Sequence, residues 1–482
     1  MTAIKDQDVA LDVGKEGSFA PASGPLPTIP GASISIPQVH ESRLLRKIDF
    51  HVLPILFLVY VVAFLDRVNI SNALTLGLPA ELSLMGQQPN ISLTIFFVPY
   101  ILFEIPSNIL MKRFSPHVWL SGSILVFGVI CIAQGFVRSY SGILATRFFL
   151  GLAESGIFPG SFYLISFWYK QAESQTRFTV YWCSTMFASA FGSLLASAIA
   201  NMDGIQGLSG WRWVFILEGV ATVVVAALAF FTISDFPLEA KWLTEDERVF
   251  VVNKTKENES SSQPVTIRDV LSFLTRPKHW IGAIMYFSNL IPAYSLVYFT
   301  PTIVQGLGYS SIQTQLHSVP PFAAAFGLTV ILAIFSDRMR VRSPFIFFNI
   351  CLLIAGTVMC MKIHGVENFS AEYAGLCLAG MGSLGVGGNI ICWYVMNLRG
   401  HTERAIGTAW MICFGNIGGI VATFAFQKKD APLYHTGYSL VLSMGALCFV
   451  SCAAYALIIW HERKAASLRS SGDNEVKHEL YL

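Results

Sequence analysis

Residues 51–70 read HVLPILFLVYVVAFLDRVNI, an apolar run whose acidic and basic residues, Asp66 and Arg67, come only near its end. A helix of about 20 residues rises about 30 Å, the thickness of a bilayer's hydrocarbon core. Comparable blocks lie at approximately 92–111, 118–137, 143–167, 178–200, 212–233, 280–300, 317–336, 344–362, 372–395, 405–426 and 436–460, which makes twelve. Composition agrees, because 54% of the 482 residues are apolar and 13% are charged, against roughly 25% charged in soluble proteins. A soluble enzyme is excluded for want of a polar shell. An outer-membrane barrel is excluded because its strands would be short and alternating. The fold class is an all-α membrane protein of twelve transmembrane helices in two six-helix halves.

The halves flank a polar segment containing LTEDERVFVVNKTKENESSSQP. The expected organisation is a disordered cytoplasmic tail over 1–42, a six-helix bundle over 43–233, a cytoplasmic linker with one amphipathic helix over 234–279, a second bundle over 280–462 and a tail over 463–482. Lysine and arginine are retained on the cytoplasmic side. The tails, the linker and the even-numbered loops carry 25 of them, including Lys112, Arg113, Arg338, Arg340, Arg342, Arg399 and Arg404. The other side carries five, Arg138, Arg212, Lys362, Lys428 and Lys429. Both termini are therefore expected in the cytoplasm of a multi-pass protein of the plasma membrane. No removable signal peptide is visible, so the first helix does the targeting. Sequons at Asn90 and Asn368 fall outside, and those at Asn253 and Asn258 in the linker.

Two arginines remain, Arg67 and Arg147, each inside an apolar block. A charge near the bilayer centre costs about 2.5–3.5 kcal/mol, so such residues face a cavity or a partner. Asp66 adjoins Arg67, Glu154 follows Arg147 by about two helical turns, and Glu104 is a fifth buried charge. Arginine keeps its charge at every relevant pH and offers a planar fork suited to a carboxylate. A buried carboxylate can titrate as its exposure changes, so protonating Glu154 or Asp66 would free an arginine for a substrate anion. A purely structural ion pair is the bland alternative.

Other motifs carry less. The nine cysteines, all within apolar blocks, read as small buried residues. His51, His117, His279, His317 and His401 sit at block ends and read as interfacial, with no metal-ligand spacing. Trp168, Trp211, Trp213, Trp280 and Trp460 read as interface anchors. Gly380–Gly385 matches a dinucleotide fingerprint formally but lies in a membrane-length block, so it reads as close packing or a bendable gate. No ATP-binding loop and no nucleic-acid motif occurs.

Twelve spans divided by a cytoplasmic loop, with Ser336–Asp337–Arg338–Met339–Arg340–Val341–Arg342 after the eighth block, resemble the major facilitator superfamily. The turn after the second block, SNILMKRFSP, lacks that motif's acidic residue. FLDRVNISNA, RFFLGLAESGIFPG, GWRWVFILEG and NLRGHTERAIGTAWMICFGNIGG together resemble the anion:cation symporter family, closely its fungal allantoate, pantothenate and nicotinate permeases, over roughly residues 43–465. The resemblance implies a central site in which Arg67 and Arg147 bind substrate while Asp66 and Glu154 couple protons. It adds Tyr100 and Asn416 as substrate contacts. Glu104 occupies a family glutamine position and joins the proton-coupling candidates, a structural hydrogen bond being at least as good a reading. Gly382, Gly385 and Gly418 are the gating candidates.

The function implied is secondary active uptake of a small organic anion, a monocarboxylate such as nicotinate, by proton symport and alternating access. No enzyme chemistry, metal or cofactor is expected, the proton gradient being the energy source. The partners are the anion, protons and the lipid bilayer, with no nucleic acid, and the protein is expected as a monomer. Efflux of an acidic secondary metabolite is the alternative, disfavoured because STMFASAFGSLLASAIA lacks the proline of drug antiporters. A non-transporting receptor would need a larger signalling domain than either tail offers.

Overall fold

The computed structural model describes residues 40–469, apart from 170, 260–265, 340, 364–368, 399 and 432. Twelve of the described helices are long and apolar enough to cross a membrane. Six precede the polar segment: α1 (Glu41–Thr75), α2 (Gln88–Ser107), α3 (Pro116–Gln134), α4 (Tyr140–Ile165), α5 (Thr176–Met202) and α6 (Gly210–Thr232). Six follow it: α7 (Pro277–Gly306), α8 (Ser311–Ser336), α9 (Ser343–Lys362), α10 (Phe369–Met396), α11 (Thr402–Ala422) and α12 (His435–Ala465). With no water in a bilayer core, helices satisfy their own backbone groups, which is why apolar blocks of this length fold this way.

The linker differs from expectation in holding two helices, Glu245–Glu259 and Ile267–Leu274. The second is opened by a capping box in which Thr266 and Asp269 satisfy each other's backbone N–H groups. The first is tied to the start of α1 and, through Glu173, to the turn of helix just before α5. Lys47 meets Glu247 at 2.6 Å, and Lys254 meets Glu41 at 2.8 Å and Glu173 at 2.7 Å. Those partners explain why α1 already begins at Glu41, inside the stretch expected as tail. At the other terminus the last helix runs on to Arg469, past the expected boundary at 462. Residues 1–39 and 470–482, Arg340, Arg399 and the sequon residue Asn368 lie outside the described residues, as do the side chains of Lys112, Arg113, Asp337 and His401.

Three further readings are corrected. Cys351 is exposed on α9, a face that suits lipid rather than core. His279 is fully buried, stacked on Phe273 at 3.7 Å and 3.1 Å from Glu403, so it is a packed core residue and not an interfacial one. Trp168 and Trp211 are also fully buried. Trp168 donates to the Asp235 carbonyl and Trp211 to Glu81, which accounts for their position.

The two sets of six meet through α1 against α7, α2 against α11, and α5 against α8 and α10. Helices α7 and α10 are the most enclosed, whereas α3, α6, α9 and α12 turn Val126, Phe231, Phe348 and Leu457 outward, in that order. At the end away from the linker, hydrogen bonds join the halves. Gln315 donates to Thr75 Oγ1 at 2.7 Å, Asn90 to the Thr423 carbonyl at 2.6 Å, and Ser71 to the Tyr298 carbonyl. Toward the linker end, Trp182 of α5 donates to the Leu384 carbonyl at 3.1 Å, with its ring over Gly387 and Gly388 of α10. A side chain at either glycine would meet that ring, so the pair makes the seat.

Candidate functional site

The buried charges gather where α1, α2, α4, α7 and α11 converge. Arg67 points from α1 to Glu154, its Nε donating to Oε2 at 3.1 Å and its Nη2 to Oε1, so the pair is bidentate and buried. Glu154 is the last residue of the helical piece Tyr140–Glu154, and the helix is interrupted at Ser155–Gly156 before resuming at Ile157. A Cβ at Gly156 would collide with the Ser107 side chain of α2, so this break needs glycine to lie against its neighbour. The Arg67 guanidinium also lies 4.9 Å from the ring centres of Phe96 and Tyr100 and 5.4 Å from Phe64. Aromatic faces attract a cation by their quadrupole, which partly offsets the cost of burying it.

From that pair a chain of hydrogen bonds crosses to the other half. Arg67 Nη1 donates to the Tyr294 hydroxyl at 2.9 Å, and Tyr294 donates to Asn416 Oδ1 at 3.4 Å. Glu104 of α2 stands beside Asn416 and Cys413 of α11 and keeps Oε2 without a partner. Thus Arg67, Glu154, Tyr294, Asn416 and Glu104 form one network spanning α1, α2 and α4 of the first half and α7 and α11 of the second.

Arg147 is held differently. Its Nη1 donates to the Arg67 backbone carbonyl at 3.1 Å, while Nε and Nη2 are buried without partners. The ring of Phe215 lies 5.7 Å away. Asp66 accepts from Thr222 of α6 at 2.8 Å, with Arg147 and Cys131 nearby. The pairing suggested by chain adjacency, Asp66 with Arg67 and Arg147 with Glu154, is therefore replaced by a cross-helix pairing. Successive residues on a helix point about 100° apart, and seven residues rise about 10.5 Å, so neither adjacency brings its charges together.

Beside this network lies a cavity walled by Tyr60, Phe64, Tyr100 and Phe158 from the first half, Trp182 and Thr185 from α5, and Tyr286, Leu290, Ala293, Tyr294, Val297, Leu384, Ile412 and Asn416 from the second. Tyr100 and Asn416, proposed from the sequence, are both in its wall. Arg67 reaches it through Tyr100 and Tyr294. The glycines behave as packing contacts here: Gly382 lies against the Asn349 and Leu353 backbone of α9, Gly385 against Asn349 and Thr329, and Gly418 against Phe287 and Ile291 of α7.

Sequence reasoning missed Tyr286, Tyr294 and Trp182, although tyrosines at 286, 294 and 298 share a helix face by their spacing. It also missed Glu218, an acidic residue inside the apolar block 212–233. Glu218 is buried in α6 and accepts a hydrogen bond from Asn69 of α1. Arg212, counted with the loop residues, is buried too. It donates to Glu81 at 2.9 Å and to the carbonyls of Gly135 and Val137 at 2.9 and 2.6 Å. Partial burial pushes the Glu81 carboxyl up, but hydrogen bonds from Ser209, Trp211 and Arg212 outweigh it and hold the group below its usual range.

Comparison with known proteins is consistent with this architecture. Residues 56–423 match the model of the Major Facilitator Superfamily. The MFS transporter prlL of a fungal species is 31% identical over 443 residues, covering 90% of this chain and 89% of the relative. A protein of Agrobacterium vitis, named provisionally for tartrate transport, is 31% identical over 387 residues, covering 79% of this chain and 87% of its own. The solved structure of the proton:xylose symporter XylE superposes with a TM-score of 0.67 at 14% identity, over 86% of this chain and 96% of the other.

Proposed function

The chain belongs to the major facilitator superfamily, and from that premise we propose that it imports a small organic anion by proton symport, as a member of the anion:cation symporter branch. It is a membrane transporter and not an enzyme. The observation that carries the finer reading is the bidentate Arg67–Glu154 pair beside an aromatic cavity. The fork that holds Glu154 is the fork that would hold a substrate carboxylate. A proton on Glu154 removes its charge and lets Arg67 turn to the incoming anion, while Arg147 brings two further N–H donors that have no partner at rest. Because Tyr294 and Asn416 join Arg67 to the second half, exchanging Glu154 for substrate also alters a contact on which the closed arrangement depends.

The cavity wall of tyrosine, phenylalanine and tryptophan favours a flat aromatic monocarboxylate such as nicotinate, stacked between rings with its carboxylate toward Arg67. The tartrate assignment of one relative supports a carboxylate as substrate class. The linker end is assigned to the cytoplasm by its lysines and arginines, which puts the hydrogen-bonded opposite end on the far side of the membrane, and uptake into the cell makes that membrane the plasma membrane. It acts as a monomer without a cofactor, and Gly382, Gly385 and Gly418 let the packed helices slide past one another. The test is uptake of radiolabelled carboxylates by cells expressing the protein, at two external pH values. Uptake of one of them, faster at the more acid pH, is expected. Carboxylate uptake indifferent to pH, or none across the panel, overturns the proposal.

A further inference from the structure

The contact between α1 and α6 contains a second arrangement of buried carboxylates, set apart from the Arg67–Glu154 pair. Asp66 and Asn69 lie one turn apart on α1, and Glu218 and Thr222 one turn apart on α6. They are laced crosswise, Thr222 donating to Asp66 Oδ2 at 2.8 Å and Asn69 to Glu218 Oε2. Each carboxylate is thereby left with one buried oxygen that has no partner, Asp66 Oδ1 and Glu218 Oε1, and Asn69 Oδ1 is a third bare acceptor. All three residues are at least 97% buried, at 0%, 3% and 0% exposure for Asp66, Glu218 and Asn69. The groups around the pair are Cys131 from α3, which stands beside both carboxylates, and Arg147 and Glu154 from α4, which face Asp66. Helix α5 meets this point with Gly192, which lies opposite Leu65 and Asn69 and adds no charge.

Acceptors without donors in a buried site lack a hydrogen, and two neighbouring carboxylates cannot both stay ionised without a counter-charge. We infer that Asp66 and Glu218 act as a dyad that binds one proton at the α1–α6 contact, making Glu218 a proton-coupling residue. The proton leaves water, bonds to one carboxyl oxygen and is released to water on the other side of the membrane, with no other bond changed. Arg147, which faces Asp66, links the dyad to the anion: its free N–H groups can turn from Asp66 to a substrate carboxylate.

This inference rests on the proposed proton symport, so the experiment separates the two. In proteoliposomes the steady-state accumulation of the radiolabelled carboxylate selected by the uptake panel, nicotinate in the first instance, is compared with its counterflow at equal pH. Each proton coupled to uptake multiplies accumulation by about tenfold per unit of pH difference. Glu218→Gln keeps an acceptor for Asn69 and removes the titration. It should retain counterflow and lose about tenfold in accumulation per pH unit, and Asp66→Asn with Glu218→Gln should lose no more than either alone, because one shared proton is removed once. Accumulation in Glu218→Gln equal to wild type overturns the dyad, as do multiplied losses in the double variant. Wild type that fails to concentrate substrate on a proton gradient overturns the symport reading itself. Accumulation driven by sodium at equal pH and abolished in Glu218→Gln makes the site a metal-cation site and overturns the proton. Should Glu218→Gln fail to fold, the infrared C=O stretch of protonated carboxyls decides: its titration midpoint must move in Asp66→Asn, and an unmoved midpoint overturns the dyad.

Discussion

Replacing Tyr294 by phenylalanine tests whether the buried charges couple the two halves. The ring is nearly unchanged, so its edge contact with Phe97 at 5.2 Å and its stacking on Tyr298 at 5.9 Å survive. What goes is the hydroxyl that accepts from Arg67 at 2.9 Å and donates to Asn416 at 3.4 Å. A hydrogen bond from a charged donor contributes about 1.5–3 kcal/mol, more than the longer neutral bond to Asn416. Because the Arg67 bond crosses between the halves, while the Asn416 bond lies within the second, loss of the former falls on the closed arrangement, and the equilibrium should move away from it by roughly ten- to 150-fold. Spin labels at Met85 and Ile312, both exposed at the end away from the linker, would report the separation of the halves as a distance distribution. The variant should show a new, longer population and faster exchange through that end. Unchanged distances together with unchanged counterflow would refute the idea that Arg67 reads both halves through Tyr294.

Arg147→Lys keeps a positive charge but loses the planar fork, so transport should fall roughly 10- to 100-fold at normal expression; wild-type uptake at subsaturating substrate would remove Arg147 from the binding site. Glu81→Gln should lower thermal stability at neutral pH, because the folded protein holds this carboxyl below its usual range. The sign requires the difference from wild type to be full above about pH 4.3 and to vanish as pH falls through the lowered value, which melting curves across pH 3–7 would show. Asn253 is exposed in the linker and should carry no glycan in a eukaryotic host; a glycan found there by mass spectrometry would reverse the assigned sidedness.

The order and number of spans were legible in the sequence because hydrophobicity over about 20 residues is a property of local composition, and lipid leaves the helix as the economical answer. The same local logic picked out Arg67, Arg147, Asp66, Glu154 and Glu104, since any charge in such a block needs a reason. Where it faltered, the missing quantity was direction. Asp66 and Arg67 are neighbours in the chain, yet one turns to Thr222 on α6 and the other to Glu154 on α4. Glu218 acquires meaning only once α6 lies beside α1 and sets it against Asn69. Tyr294 becomes a link only when α7 of the second half closes on α1. A sequence therefore determined which charges must be accommodated inside the membrane, while the rotation and crossing of packed helices decided which of them meet, because a partner across a helix contact is set by three-dimensional packing that no spacing along one chain records.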